Sequence, residues 1–246
     1  ILGVIREDLL AIKDEYGDAR RTQIVDRTKG TLTSTDLLPQ QNVWVAVGGN
    51  GDLHRQDVTR VSTTALKRSG SGSQVGLFTA NTRDYLYLMD ERGQCRRISI
   101  HEIPQDGRPK HLAELTEFSR RDNITAAISV PRLSADESDG YLFFVTEQGM
   151  VKRVALTDFI VAGAQDPIVM NVDEKDRLCS VFRTSGSQDV ILVSSGGKAI
   201  RFAVDAVRSM GLAAGGVSGF KLGKGQRVVY AAPVDPAGEL LTATEK

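Results

Sequence analysis

The chain has 246 residues, 41% hydrophobic and 25% charged, an ordinary composition for a folded soluble chain holding one large all-β domain or two smaller ones. No run approaches the roughly 18 apolar residues of a membrane span, and Arg6, Glu7 and Asp8 break the N-terminal apolar pattern, so no secretory signal is expected in this stretch. Lysine plus arginine and aspartate plus glutamate each number 31, so a polyanion-binding role gains nothing from bulk charge and must rest on where the charges sit.

Leu2, Ile5, Leu9, Ile12 and Tyr16 recur at helical spacing and predict a helix over 1–16, stopped at Gly17 and followed by the charged stretch Asp18-Ala19-Arg20-Arg21. The chain begins without Met, in mid-pattern and without a capping residue. We therefore expect the stub of a longer helix, and a piece of a longer protein, rather than a helix docked on its own domain.

From residue 42 the period becomes strand-like and one unit recurs four times. It consists of an apolar strand, a polar turn ending in Gly, and a strand that carries an Arg four residues after that Gly. The copies are V-W-V-A-V-G-G-N-G-D-L-H-R (43–55), Y-L-Y-L-M-D-E-R-G-Q-C-R-R (85–97), Y-L-F-F-V-T-E-Q-G-M-V-K-R (141–153) and V-I-L-V-S-S-G-G-K-A-I-R (190–201). Three residues beyond the Arg stand Val58, Ile100, Leu156 and Val204. Six beyond it stand Val61, Ile103, Phe159 and Val207.

A further apolar strand precedes each next hairpin, at Val75–Thr79, Ile124–Val130, Leu178–Phe182 and Val228–Val234. Units of about 45 residues with several short strands each are the signature of radial repetition, in which one sheet buries its faces against its neighbours. A fifth hairpin begins at Leu240-Leu241, so the repeat is expected to be cut in mid-unit.

Catalytic motifs are not evident. His54, His101 and His111 lack metal-ligand spacing, and the glycine-rich stretches 48–51 and 196–198 fall in hairpin turns, where positive φ accounts for them. Cys95 and Cys179 are far apart and fit buried, reduced thiols.

The repeated cations carry the binding hypothesis. Arg55, Arg96 with Arg97, Lys152 with Arg153, and Lys198 with Arg201 hold equivalent places in four units. A ring of such cations could follow a bent phosphate backbone and release counterions without reading bases. Solubilising charge on exposed strands explains the same periodicity. Lys67-Arg68, Arg120-Arg121 and Lys221/Lys224/Arg227 lie between hairpins and would widen the track, with acids at 136–139, 173–176 and Glu114/Glu117 held apart from it.

These segments, with the opening 1–24 and the stretches 139–153, 191–202 and 207–219, resemble the C-terminal domain of the DNA gyrase A subunit family, shared by topoisomerase IV. The resemblance implies an all-β β-pinwheel of about four complete blades plus the start of a fifth. Residues 1–24 would be the helix and link from an upstream breakage-reunion domain, and 25–246 the pinwheel, truncated at its C-terminus. It implies double-stranded DNA as partner, an A-subunit dimer joined to B subunits as A2B2, and a cytoplasmic bacterial enzyme that supercoils DNA. The catalytic Tyr, ATP and Mg would lie elsewhere in the holoenzyme, with no cofactor on this chain. The family's basic box Q-R-R-G-G-K-G corresponds to L-K-R-S-G-S-G-S-Q-V (66–75), which keeps Lys67, Arg68 and Gly70 but loses a basic position, and G-L-A-A-G-G (211–216) lacks an Arg. A topoisomerase IV-like decatenation or relaxation role therefore competes with chiral wrapping. A propeller-like scaffold for protein partners is the alternative from a different class.

Overall fold

A computed structural model of the chain describes residues 2–17, 37–60, 74–105, 109–131, 139–162 and 168–241. Two compact units form, Ile1–Leu37 and Leu38–Lys246. In the first, helix α1 spans Leu2–Tyr16 as its periodicity predicts, and the Gly17 N–H donates to the Lys13 carbonyl at 2.8 Å. Among the described residues no helix is long and apolar enough to cross a membrane.

The second unit holds four antiparallel sheets, blades 1 to 4 in chain order. Each is founded on one of the four expected hairpins. These are β1 (Asn42–Gly48) with β2 (Asp52–Asp57), β4 (Tyr85–Asp90) with β5 (Cys95–Ser99), β8 (Tyr141–Thr146) with β9 (Met150–Ala155), and β11 (Asp189–Ser194) with β12 (Ala199–Ala203). Sequence alone puts a third apolar strand ahead of each next hairpin. Pairing assigns it to the hairpin before: β3 (Gln74–Asn81) joins β1, β7 (Ile124–Val130) joins β4, β10 (Leu178–Thr184) joins β8, and β14 (Val228–Pro233) joins β11.

A fourth strand arrives from further along the chain. β6 (Lys110–His111), which follows the blade 2 hairpin, pairs with β2 of blade 1. Ile168, after the blade 3 hairpin, bridges to Gln94 in blade 2, and β13 (Val217–Ser218), after the blade 4 hairpin, pairs with β9 of blade 3. Successive blades therefore exchange strands.

The hairpin turns dictate where that exchange can land. Gly51, Gly93, Gly149 and Gly197 sit at φ of 85°, 79°, 84° and 75°, a region closed to most side chains. In the first three blades the glycine carbonyl accepts from an N–H of the incoming segment, from Leu112 at 2.8 Å, Val169 at 2.9 Å and Gly219 at 2.9 Å. A Cβ at Gly93 would stand 2.2 Å from the Met170 carbonyl oxygen, and one at Gly149 2.4 Å from that of Phe220. Inside the turns of blades 2 to 4, a buried polar residue three places before the glycine accepts the N–H that reopens the strand. Gln94 donates to Asp90 Oδ1 at 2.7 Å, Met150 to Thr146 Oγ1 at 3.1 Å, and Lys198 to Ser194 Oγ at 3.2 Å.

After the second hairpin strand the chain makes a helical turn at Val58–Arg60, Ile100–Glu102, α2 (Leu156–Ala162) and Val204–Ala206. Ile100, Leu156 and Val204 open these turns, and Ile103, Phe159 and Val207 lie one turn on, all buried. Val58 holds the matching place but is 37% exposed, while Val61 lies outside the described residues.

Strand alternation splits blades 2 and 3 each between two cores. Val43, Val45, Val47 and Leu53 of blade 1 meet Leu86, Leu88 and Ile98 of blade 2. The other face of blade 2, with Tyr87, Met89 and Cys95, meets Leu142, Phe144 and Val154 of blade 3. Phe143, Val145 and Val151 then meet Val190 and Leu192 of blade 4. Strands β3, β7, β10 and β14 line a shared cavity of about 710 Å³.

Phe159→Ala is expected to lower unfolding free energy by about 3–5 kcal/mol, because its ring is fully buried beside Tyr87. Val58→Ala, at a matching repeat position, should change it by no more than about 0.5 kcal/mol. Denaturant titration of both variants checks the contrast.

Candidate nucleic-acid interface

Residues three and four places after each turn glycine point to opposite faces of β2, β5, β9 and β12, because side chains alternate along a strand. Arg55, Arg97, Arg153 and Arg201 share one face. Their cross-strand partners are Val45, Tyr87, Phe143 and Ile191. The equivalence expected of the four arginines holds for the backbone but not for their surroundings.

Two of them lie on aromatic rings. The Arg97 guanidinium carbon stands 4.4 Å from the centre of the Tyr85 ring, and that of Arg153 stands 4.4 Å from the centre of Tyr141. Both tyrosines occupy the first position of the opposing strand, diagonal to the arginine. Stacking covers the flat face of a guanidinium and leaves N–H donors at its edge for an acceptor. Burial raises the pKa of the Tyr87 hydroxyl, and the nearby Arg97 opposes that shift. Among the described residues neither Arg97 nor Arg153 is paired with a carboxylate.

Blade 4 breaks the pattern. Asp189 stands where Tyr85 and Tyr141 do, and its Oδ2 accepts from Arg201 Nε at 2.7 Å. An exposed pair of this kind contributes only about 0.2–1 kcal/mol to stability, so its main consequence is local charge cancellation. Val43 holds the matching place in blade 1, and Arg55 is half-buried.

On the opposite face, two expected contacts need correction. Lys152 is fully buried. Its Nζ donates to the Val169 carbonyl at 2.8 Å and to the Leu212 carbonyl, and lies 5.6 Å from the Phe144 ring centre. It holds two crossing segments against blade 3 and cannot reach a phosphate. Arg96 is also drawn inward. Its Nη1 donates to the Cys95 carbonyl at 2.9 Å, its Nε lies 3.5 Å from Glu117 Oε2, and its guanidinium packs over Phe118.

Lys198, Lys221, Lys224 and Arg227 are exposed, as a surface contact requires, whereas Lys67 and Arg68 lie outside the described residues. The acids are not held apart from the cations as expected, since Glu117 meets Arg96 and Glu114 Oε1 meets Arg120 Nη2 at 3.1 Å. Asp136 and Glu137 lie outside the described residues.

Cys95 and Cys179 are free, and burial pushes both thiols up to about 12, so they remain protonated. His111 Nδ1 accepts the Ala113 N–H at 3.1 Å, a capping role. No group of three or more metal-ligating side chains occurs among the described residues.

Tyr85, Tyr141 and Asp189, which lie beside Arg97, Arg153 and Arg201, are residues that motif reading misses. Each stands twelve residues before its arginine, so a search of the repeat for a position in fixed offset to the cation would find them.

A family model described as DNA gyrase C-terminal domain, beta-propeller, matches residues 140–185 and 188–235. The DNA gyrase A subunit of Salmonella typhimurium is 32% identical over 258 residues, covering 100% of this chain and 29% of the relative. That of Haemophilus influenzae is 32% identical over 235 residues, covering 90% and 26%. The chain thus spans less than a third of the length of these curated relatives. Among solved structures, a C-terminal domain of DNA topoisomerase IV superposes with TM-score 0.66 at 25% identity, over 81% of this chain and 63% of that one. A DNA gyrase A C-terminal domain gives 0.63 at 25% identity, over 79% and 65%.

Burial lowers the Lys152 ammonium to about 8 from 10.5. The unfolded chain therefore binds more protons between these values, and the burial penalty is relieved as pH rises through that window. The stability of the wild type relative to Lys152→Met should grow by up to about 1.4 kcal/mol per pH unit from pH 8 to 10.5. Urea unfolding across that range checks the sign.

Proposed function

Because the chain belongs to the DNA gyrase C-terminal domain family, we propose that its blades bind duplex DNA by phosphate contacts from Arg97 and Arg153. The observation that carries this reading is two matched guanidiniums on adjacent blades, each seated on a tyrosine and neither paired with an acid among the described residues. Exposed Lys198, Lys221, Lys224 and Arg227 add positive surface beyond them.

Contacts to phosphate alone make recognition insensitive to sequence and strongly dependent on salt. Spreading them over several blades suits a bent duplex, whose deformation costs about 1–6 kcal/mol and must be offset along its path. In this reading the chain is the DNA-binding and DNA-bending part of the A subunit of a type II topoisomerase. It works in the cytoplasm with an A-subunit dimer and B subunits in an A2B2 complex. It guides a segment for ATP-dependent strand passage and leaves bond breakage and ATP hydrolysis to other parts of the enzyme.

A second reading, a topoisomerase IV-like role without strong chiral wrapping, draws on the reduced basic box at 66–75 and the neutralised cation of blade 4. Relaxed circular DNA incubated with ATP and the complete A and B subunits separates the two, since only wrapping introduces negative supercoils.

Titration of a fluorescent duplex at several salt concentrations should give binding that weakens steeply with salt. Arg97→Glu with Arg153→Glu should weaken it at least about ten-fold and flatten the salt slope by roughly two contacts. Arg120→Glu, which removes a cation already paired with Glu114, should do much less. Salt-independent binding, or none at low salt, would favour the protein scaffold.

A further inference from the structure

Resting on that DNA-binding reading, we infer that the blades are unequal stations. Tyr85 and Tyr141 are positioning residues that present Arg97 and Arg153 to phosphate, whereas Asp189 silences the equivalent station at Arg201 and leaves blade 4 weaker than blades 2 and 3.

All three residues take the same place, opening the first hairpin strand diagonally across from the arginine. An arginine side chain has many rotamers, and holding it in one lowers the ordering cost of the contact it makes. A tyrosine ring at 4.4 Å does this while leaving the cation its charge. Such a guanidinium meets an incoming phosphate preorganised and with its full attraction.

Asp189 fixes Arg201 equally well but by an ion pair at 2.7 Å. A phosphate approaching Arg201 must displace a carboxylate already in hydrogen-bond contact, and that carboxylate repels it. Asp189 is 34% exposed and Arg201 57%, so the pair lies at the surface a duplex would have to cross. Neither residue type is needed for the fold at this position, because Tyr and Asp serve in otherwise matching hairpins.

The test measures duplex affinity of the full chain against salt, with thermal unfolding as a check on each variant. Asp189→Asn keeps shape and removes the charge. It should tighten binding about three-fold or more at low salt and steepen the slope of log Kd against log salt by about 0.9, one added phosphate contact. Tyr85→Ala and Tyr141→Ala should each weaken binding about three-fold, while Tyr85→Phe and Tyr141→Phe, which keep the ring, should bind nearly as the parent does. A purely structural role for the tyrosines would move the unfolding midpoint and leave the salt slope alone. A parent chain that binds duplex normally, with an Asp189→Asn variant of unchanged affinity and slope, overturns the inference and leaves the DNA-binding reading standing. A parent chain without salt-dependent duplex binding removes both.

Discussion

Much of the architecture turns on one contact, the carbonyl of a hairpin-turn glycine meeting the N–H of a segment that belongs, by sequence, to the following blade. Three blades make it, through Gly51, Gly93 and Gly149. The contact requires positive φ for the turn and a bare Cα for the approach, and glycine alone meets both demands. In blades 2 and 3 the polar residue three places earlier and the buried pair in the helical turn hold the same hairpin from either end. Gly197 has the turn conformation, but no described atom comes within 4 Å of where its Cβ would be. The two demands can thus be told apart within one chain.

A neutral chain can still hold a polyanion if its cations differ in how they are spent. Lys152 is committed to two carbonyls and an aromatic ring inside the fold, and Arg96, Arg120 and Arg201 to carboxylates. Arg97 and Arg153 lean on rings that take none of their charge. Equal totals of acid and base therefore describe this surface poorly, and the identity of the residue beneath each guanidinium describes it better.

The hairpins, the turn glycines, the matched apolar positions after them and the radial repeat were legible in the sequence because each repeats in register and follows from local rules. The fourth strands were not. β6 and β13 are two residues long, and Ile168 makes a single bridge, too short for any periodicity to show. Strand alternation could have separated Arg96 from Arg97 and Lys152 from Arg153. Which of the two faces was covered depends on a neighbouring blade, however, and a cation as deeply buried as Lys152 runs against the usual habit of lysine. The diagonal tyrosines escaped because aromatic residues in strands read as packing.

Strand exchange also sets an order of assembly. Blade 1 lacks its outermost strand until the blade 2 hairpin has been made and the chain has doubled back, and blades 2 and 3 wait in the same way on their successors. A chain leaving the ribosome would complete its sheets one step behind synthesis, each newest hairpin holding an open edge while the previous one closes. Blades 2, 3 and 4 cannot be excised as cassettes, because every cut that removes one also takes the last strand from the blade before it.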